Sequence, residues 1–565
     1  MIKKRISKLR NKFDEFGIDG YIIPKNDEFF SEYSQKDRLK TISNFSGSAG
    51  LAIILKKKNY LFVDGRYTIQ AEIESGKEFK ITSLDKIINC RLFKNLTLGL
   101  DPKLFTSKQV KKFFSRYNKT KEIELNLIDC IHNKYQLRSE PFFSLDKKIV
   151  GEGHLNRIKN TVDFIKKNKS NYLFISAPEN VAWLLNIRGF DNPNSPIPNC
   201  RLLVSDDREI FLISEKWKAK KLIKEKKLKE SNLVSPENFN LFTKKLKKKK
   251  IIIDEKSCSL FYEDILKKKF SILEIEDPIY HMKSIKNKTE ISNMINSHIS
   301  DGVALTKFLY WIKNVNKKSI SEYQAQKKLE TFRKKNKNYL YPSFNTIAGT
   351  GKNGAIIHYR ANKKNSKIIK KNDIFLCDSG GQYKYGTTDV TRTMCFSKPK
   401  SYVKEIFTKV LKGHIAVATA NIKKKFNGKL VDTLARKYLK KSGLDYKHGT
   451  GHGVGFFLNV HEGPQSISKY NKIKFQEGMV LSNEPGFYKK GSFGIRIENL
   501  VYVKKFNKKL FFKNLTLAPI EKDLINFDEL NKIEKDYLFK YHFEVYSALS
   551  NYLNKNEKKW LASFI

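Results

Sequence analysis

Cysteine and long apolar segments are both scarce in this 565-residue sequence. The six cysteines are widely separated and form no Cys-x-x-Cys pair: Cys90, Cys130, Cys200, Cys258, Cys377 and Cys395. In a chain of this length, this usage argues against a disulfide framework and indicates reduced thiols. Apolar runs such as 50–55 are far shorter than the about 20 residues that span a bilayer. The first residues lack the apolar core of a signal peptide. We therefore predict a soluble cytoplasmic protein without a membrane partner.

Acidic residues are few compared with basic ones. The chain has 58 Asp and Glu against 110 Lys and Arg, a formal net charge of +52. A basic protein can bind nucleic acids or acidic membranes through phosphate contacts. However, the lysines are spread along the whole chain, and the densest runs, 216–230 and 244–250, suit solvated helix faces. No nucleic-acid-binding motif accompanies them, so we predict no specific nucleic-acid partner.

The length and the pattern of apolar residues predict several domains. Strand-like and helix-like segments alternate through the first half, which indicates two successive and related α/β domains. A long helix is expected from Ser284, and glycine-rich strands are expected from about 340 to 503. A helical tail should dock on the body of the protein or on a partner subunit. The predicted domains are 1–145, 146–283, 284–510 and 511–565.

Four acidic residues stand where strands or turns can aim them at one point. An apolar strand ends at Asp378, and Asp389 is expected in the middle of the alternating strand TTDVTRT. Glu484 ends a strand before Pro-Gly, and Glu498 is expected in the middle of the strand GIRIENLVYV. Turn capping by Asp378 and an ion pair between Arg496 and Glu498 remain alternatives. Carboxylates delivered together from adjoining strands repel one another unless cations lie between them.

Four of the ten histidines lie in the same region, namely His358, His448, His452 and His461. The segment HGTGHGVG is too rich in glycine for a stable helix, and its glycines allow close approach of the backbone to a ligand. It does not open a helix after a strand, so a dinucleotide site is disfavoured, and no P-loop or Gly-x-Ser-x-Gly elbow is present. Mixed carboxylate and imidazole donors suit divalent cations. These residues predict a two-metal hydrolase.

The same segments carry a family resemblance. DSGGQYKYGTTDVTRT, HGTGHGVGFFLNVHEGP, NEPGFY and GIRIENLVYV resemble the metal-binding strands of pita-bread metallopeptidases, and among these the cytosolic three-domain Xaa-Pro aminopeptidases. NFSGSAG, FVDGRYTIQAE, AWLLNIRG and NGAIIHY also fit that family, so the resemblance spans nearly the whole chain. It implies two creatinase-like N-terminal α/β domains, a pita-bread catalytic domain and a helical C-terminal tail. Asn483 and Lys352 depart from the residues usual in relatives, Asp and Pro, but neither is an implied ligand.

The resemblance implies two divalent ions, usually manganese, and five metal ligands. Asp378 would bind one ion, and Asp389 and Glu498 would bridge both. His452 and Glu484 would complete the second site. Glu484 would also act as a general acid and base, because a carboxyl group at the edge of the site can exchange a proton.

Five further residues are implied to contact the substrate or line its pocket. His358 and His461 would act around the scissile carbonyl, and His448 would line the catalytic pocket. Arg66, from the first domain, would reach the peptide, and Arg496 would also bind substrate. The implied reaction is release of the first residue from peptides with proline in second position. A homodimer formed through the C-terminal part is implied as well.

Several alternatives stay open. A prolidase-like dipeptidase is the main enzymatic alternative, although two large domains before the catalytic domain favour the aminopeptidase. A non-catalytic pita-bread protein that binds partners, and a metal-free creatinase-like hydrolase, are disfavoured because all five implied ligands are present. Methionine aminopeptidase is disfavoured because it lacks both front domains.

Overall fold

The computed structural model describes residues 2–565 except for 88–93, 133, 136, 316–319, 365 and 423–425. Cys90 therefore lies outside the described residues, whereas the other five cysteines are free thiols. The chain divides into two compact units, Met1–Tyr280 and His281–Ile565. Across the described part of the chain, no helix combines the length and apolar character needed to cross a membrane.

The first unit begins with a six-stranded sheet in the order β4-β3-β2-β1-β5-β6. Its strands are β1 (Gly20–Pro24), β2 (Leu51–Leu55), β3 (Asn59–Val63), β4 (Lys80–Ser83), β5 (Thr97–Leu100) and β6 (Lys119–Glu122). Its helices are α1 (Ile2–Arg10), α2 (Arg38–Ser43), α3 (Thr68–Ser75), α4 (Ser107–Phe113) and α5 (Leu127–Ile131). Strands β1 and β2 are apolar along their length and pack between apolar residues on both faces. Such continuous burial explains their unbroken apolar sequences.

A second six-stranded sheet, in the order β12-β11-β10-β8-β13-β14, completes the first unit. The strands of this part are β7 (Phe143–Ser144), β8 (Tyr172–Ile175), β9 (Ile187–Arg188), β10 (Arg201–Ser205), β11 (Ile210–Ile213), β12 (Leu233–Val234), β13 (Lys250–Ile253) and β14 (Ser271–Glu274). The helices are α6 (Lys147–Val150), α7 (His154–Lys167), α8 (Pro178–Leu184), α9 (Lys216–Lys224), α10 (Phe239–Lys245), α11 (Leu260–Lys267) and α12 (Ile279–Ser284).

The two sheets share one topology. The central strands are β1 in the first sheet and β8 in the second. In the first sheet, β1 pairs antiparallel with β2, β2 pairs antiparallel with β3, and β3 pairs parallel with the edge strand β4. In the second sheet, β8, β10, β11 and the edge strand β12 pair in the same order and directions. On the other side of each central strand, two parallel strands follow. The predicted relationship between two successive α/β domains is therefore confirmed by strand order and direction.

The second unit carries the remaining sheets and the longest helices. Its helices are α13 (Lys288–Asn314), α14 (Glu322–Lys334), α15 (Ser401–Ala418), α16 (Gly428–Lys440), α17 (Lys532–Leu549) and α18 (Lys555–Ala562). Its first strands are β15 (Tyr339–Pro342), β16 (Ile347–Thr350), β17 (Ile374–Ser379), β18 (Gly381–Tyr383), β19 (Gly386–Thr387) and β20 (Val390–Cys395). Its later strands are β21 (Gly451–Gly453), β22 (Glu462–Ile467), β23 (Val480–Asn483), β24 (Gly486–Lys489), β25 (Phe493–Arg496), β26 (Asn499–Phe506) and β27 (Lys509–Asn514).

Two predictions for this unit need correction. The long helix starts at Lys288 rather than Ser284, because Asn287 and Glu290 form a reciprocal capping box at its first turn. The region between 340 and 503 is not all strand, because α15 and α16 lie within it. The predicted docking of the helical tail on the body is confirmed. Tyr541 and Val545 of α17 share one apolar cluster with Ile495 of β25 and with buried residues of α15.

Candidate metal centre

The first two acidic residues meet because their strands are paired. In the antiparallel ladder of β17 and β20, Asp378 lies opposite Thr391, and Ser379 opposite Val390 forms the last pair. Asp389 directly precedes that last pair, at the end of the ladder that also holds Asp378. The predicted mid-strand position of Asp389 is wrong, since it lies between β19 and β20. Because Asp389 lies outside both strands, its side chain need not follow the alternation of side chains along the ladder.

The next two acidic residues meet at the end of another ladder. Asn483 of β23 lies opposite Asn499 of β26, and Glu484 follows that pair while Glu498 precedes it. Glu484 is therefore at a strand end, as predicted. Glu498 falls in the short gap between β25 and β26, not in the middle of one strand. Both glutamates thus project from one end of the sheet that contains β21.

His452 of β21 completes the cluster. Asp389, His452 and Glu498 offer ligand atoms that all lie within 4.8 Å of one another. His452 Nε2 lies 3.4 Å from Asp389 Oδ2 and 3.6 Å from Glu484 Oε1. Asp378 Oδ1 and Asp389 Oδ1 are buried without a hydrogen-bond partner among the described residues. Buried oxygens of this kind, next to an imidazole, fit divalent cations.

Neighbouring groups aim these donors. His452 Nδ1 lies 2.9 Å from the Gly453 carbonyl oxygen, which leaves Nε2 to face the carboxylates. The His452 backbone N–H donates to Ser482 Oγ, which in turn donates to Glu484 Oε1 over 3.0 Å. Thr391 Oγ1 donates to Glu498 Oε2 over 2.7 Å. The side chains that converge here are therefore held in place before any cation binds.

Arg496 is buried, and its nitrogens donate inside the protein. Nη2 donates to Asp378 Oδ2, Nη1 donates to Tyr488 Oη over 2.7 Å, and Nε donates to Thr391 Oγ1 over 3.1 Å. The alternative of an ion pair with Glu498 is not what forms, because the guanidinium lies against Asp378. These contacts favour a role in orienting Asp378 over the predicted contact with substrate.

His448 joins the same network from its outer side. Its Nε2 lies 2.9 Å from Tyr488 Oη, and its Nδ1 lies 2.7 Å from the Gly449 carbonyl oxygen. Tyr488 therefore links His448 to Arg496 and so to Asp378. His448 is thus connected to the proposed ligand Asp378 through two intervening side chains, and its predicted place in the catalytic pocket stays a prediction.

The electrostatics of the cluster follow from crowded, buried carboxylates. Burial raises the pKa of Asp378 to about 7, with Asp389 adding to the rise against the opposing Arg496. Burial, with Asp389 next, raises the pKa of Glu498 well above its usual range, and burial likewise raises the pKa of Glu484. Burial opposes charge on His452, but Asp389 and Glu484 raise its pKa to about 9. Without a cation, the cluster therefore holds protons.

These raised pKa values predict how the stability of the folded protein depends on pH. The folded-state pKa is raised from 3.8 to about 7 for Asp378 and from 6.5 to about 9 for His452. The stability that Asp378 contributes is therefore lost as pH rises from about 4 to about 7, and that of His452 as pH rises from about 6.5 to about 9. We expect the melting temperature of chelated protein to fall between about pH 4 and pH 9, and manganese to remove most of this fall near and above neutral pH. Calorimetry with EDTA or with manganese measures both curves. Parallel curves for the two conditions would contradict the assignment.

The other predicted residues have distinct surroundings. His461 directly precedes β22, and its ring centroid lies 4.3 Å from that of His452 with the planes at 89°. His358 follows a short 3₁₀ turn, Gly351–Ala355, that packs on β25. A Cβ on Gly494 of β25 would lie 1.8 Å from the Gly354 carbonyl oxygen, so only glycine allows this approach. Arg66 belongs to the first unit, where it pairs with Asp64 at 2.8 Å.

Arg392 is a functional neighbour that the sequence analysis missed. It is buried, and its Nη1 donates to the carbonyl oxygen of Glu498 over 2.6 Å. It also donates to the carbonyl oxygens of Thr391, Ala518 and Pro519, to Asn499 Oδ1 and to the hydroxyl of Tyr541 on α17. The alternation in TTDVTRT could have placed Arg392 and Thr391 on opposite faces of the strand. It could not have predicted the partners of Arg392 that lie more than 100 residues later in the chain. Arg392 joins a carboxylate-bearing segment to the tail.

Family models match four parts of the chain. The model of metallopeptidase family M24 matches residues 292–505, and that of its C-terminal region matches 508–563. Two models of the creatinase and prolidase N-terminal domain match residues 5–138 and 133–290. The predicted metal ligands and the two histidines predicted to contact substrate, His358 and His461, lie within the M24 match.

Relatives that match the full length of the chain are more specific than the family models. The chain is 37% identical to a probable Xaa-Pro aminopeptidase P of Laccaria bicolor, covering 99% of this chain and 92% of the relative. It is 36% identical to Xaa-Pro aminopeptidase 1 of Dictyostelium discoideum, covering 100% and 96%. The crystal structure of X-prolyl aminopeptidase from Caenorhabditis elegans, a cytosolic enzyme with a di-nuclear active site, has a TM-score of 0.91 and 30% identity, covering 100% and 99%. The prolidase from Pyrococcus horikoshii has a TM-score of 0.53 and 27% identity but covers only 65% of this chain.

The N-terminal creatinase-type domains followed by the M24 domain define a metallopeptidase of the pita-bread class. Within that class, the full-length identity and the shared fold place the chain in one branch. The chain belongs to the Xaa-Pro aminopeptidase family.

Proposed function

We propose that this chain releases the N-terminal residue from peptides that carry proline in second position, with two divalent ions as cofactors. The observation that carries the proposal is the convergence of four carboxylates and His452, with two buried carboxylate oxygens that lack partners among the described residues. The test is hydrolysis of peptides that differ only in the second residue, for which the Discussion gives the expected result.

Five residues would hold the metal ions. Asp378 would bind one ion, Asp389 and Glu498 both ions, and His452 and Glu484 the other. Divalent ions in such a site would polarise the scissile carbonyl and lower the pKa of a bound water molecule toward neutral pH. To serve as a ligand, His452 must first release the proton that its neighbours favour, so we propose that metal binding releases protons.

The remaining chemistry belongs to side chains around the cluster. We propose that Glu484 accepts and returns a proton at its carboxylate, because a carboxyl group at the edge of the cluster can exchange a proton. His461, next to the ring of His452, would donate a hydrogen bond to the carbonyl oxygen as negative charge develops there, and His358 would act beside it. Arg496 and Tyr488 would hold Asp378 in place throughout.

Proline selectivity follows from peptide chemistry. A peptide bond to the nitrogen of proline has no N–H, so peptidases that bind this N–H in an extended cleft lose a contact. An aminopeptidase that recognises the free α-amine and accommodates the ring does not need that contact. Arg66 is proposed to contact peptide beyond the proline, as the family resemblance implies.

The metal and the compartment are part of the same proposal. Oxygen and imidazole donors suit manganese, and the donor set contains no thiolate. Metal content after purification without chelator would test this directly. We propose a cytoplasmic location, supported by the cytosolic C. elegans enzyme and by the free thiols of the five described cysteines. Domain borders at residues 145, 283 and 510 are also proposed.

A homodimer is proposed through the C-terminal part. Phe539 and Phe543, one turn apart on α17, are each 54% exposed and stack with ring centroids 6.3 Å apart. Exposed aromatic residues of this kind often mark an interface. We expect the wild-type chain to sediment as a dimer and the double variant Phe539→Glu and Phe543→Glu to sediment as a monomer. Tyr470→Glu, at another exposed aromatic residue, is the control and should remain dimeric. A monomeric wild type would refute the dimer.

A further inference from the structure

Glu322 is a fully buried carboxylate that belongs to none of the predicted roles. It opens α14, where Ser321 is the N-cap residue and the helix dipole favours a negative charge. Among the described residues no ion pair joins it to a basic side chain, so directed hydrogen bonds must balance its charge. Losing one of these bonds is costly for a buried ionised group.

The donors to Glu322 come from both sides of one loop. The Thr350 backbone N–H donates to Oε1 over 2.7 Å, and Asn353 Nδ2 donates to Oε1 over 3.0 Å. Tyr359 Oη donates to Oε2 over 2.7 Å, and the Lys367 backbone N–H donates to Oε2 over 2.9 Å. These four residues bracket His358 in the chain. Tyr359 directly follows His358 and also accepts a hydrogen bond from Asn353 Nδ2 over 2.9 Å.

We propose that Glu322 is a positioning residue that fixes the loop of His358 for catalysis. The proposal rests on the role given to His358 under the proposed function. Thr350 ends β16, which pairs with β17, so the carboxylate ties the loop to the sheet that carries Asp378. The loop has little regular structure of its own between the 3₁₀ turn and Ser366 among the residues described there. One buried group therefore supplies much of its anchoring.

The chemistry of an amide makes Glu322→Gln a sharp test. Each carboxylate oxygen accepts one backbone N–H, from Thr350 or from Lys367. An amide has one accepting oxygen and one donating NH₂ group, so in either orientation its NH₂ faces a backbone N–H that cannot accept. The side chain keeps its size while the loop loses an anchor. Tyr359→Phe removes a single donor by another route.

We expect Glu322→Gln to lower kcat/KM for Arg-Pro-Pro by about 10- to 100-fold, the scale of a small misplacement of a catalytic group. Bound metal per chain, measured by elemental analysis, should stay unchanged. Tyr359→Phe should cause a smaller loss of the same kind. The matched control is Glu557→Gln, another buried glutamate in the first turn of a helix, and it should leave kcat/KM unchanged.

The deciding measurement combines each variant with His358→Ala. If Glu322 acts by placing His358, then Glu322→Gln should cost little further in the His358→Ala background. Equal losses in both backgrounds would overturn the proposal, because the effect would then bypass His358. If Glu322→Gln fails to fold, the same cycle with Tyr359→Phe decides the question. If His358→Ala alone keeps full kcat/KM, the role of His358 in the proposed function is wrong, and Glu322 loses its target.

Discussion

Replacing Asp389 by asparagine should abolish peptide hydrolysis. Asp389 lies within 4.8 Å of the ligand atoms of His452 and Glu498, and its Oδ1 has no partner among the described residues. An amide cannot supply the second anionic oxygen needed to bridge two cations. We expect kcat to fall by at least about 1,000-fold, the scale reached when a single electrostatic contact to the transition state is removed. Glu498→Gln should behave in the same way.

Metal content and a matched aspartate make this result interpretable. Asp389→Asn should bind less manganese per chain by elemental analysis, and wild-type enzyme with excess EDTA should be equally inactive. Asp254→Asn changes an equally buried aspartate in the first unit and should keep both metal and activity. Full activity of Asp389→Asn, or of the enzyme in excess EDTA, would contradict the two-metal proposal.

The second large effect concerns the residue after the scissile bond. Arg-Pro-Pro carries the proline ring that the proposed site accommodates, and Arg-Ala-Ala lacks it. With manganese present, we expect kcat/KM for Arg-Pro-Pro to exceed that for Arg-Ala-Ala by at least about 100-fold. Free arginine and Pro-Pro should be the first products of Arg-Pro-Pro. Chromatography of the products measures both the rate and the position of cleavage.

Peptide length separates the aminopeptidase from its main alternative. Cleavage confined to Arg-Pro would indicate a prolidase, and equal cleavage of the two tripeptides would refute proline selectivity. Arg66→Ala should raise KM for the tripeptide more than for the dipeptide, if Arg66 contacts peptide beyond the proline. His461→Ala should instead lower kcat, because its contact strengthens only in the transition state.

The sequence was informative where local geometry decides the structure. Asp378 lies near the end of β17 and Glu484 directly follows β23, and glycine or proline follows within two residues of each. Such boundaries can be recognised in the sequence. Asp389 and Glu498 were misplaced because breaks in β-strands depend on how neighbouring strands twist and end. The pairing of Arg496 with Asp378 instead of Glu498 joins residues 118 positions apart, and residue alternation cannot predict that contact.

Helix α15 was missed for a different physical reason. Much of the buried face of α15 consists of β-branched residues, such as Val403, Ile406, Val410 and Ile415. These residues have low intrinsic helix propensity and favour strands. Packing against β25 and the tail outweighs that preference, since burial of an amphipathic face supplies most helical stability in proteins. The predicted fold class and family are nevertheless confirmed by the domain matches and the relatives.

The hydrogen bonds of Arg392 bear on the order in which parts of the chain fold during synthesis. A ribosome releases the chain from its N-terminus, and domains emerging first can fold first. The guanidinium beside Glu498 gains the hydroxyl of Tyr541, 149 positions later in the chain, only after Tyr541 has left the ribosome. A chain stalled at residue 530 would carry every proposed metal ligand but would lack the hydrogen bond between Arg392 and Tyr541. The hydrogen bonds around Glu498 should therefore be completed only after the strands that carry the proposed metal ligands have emerged, when α17 packs against this unit.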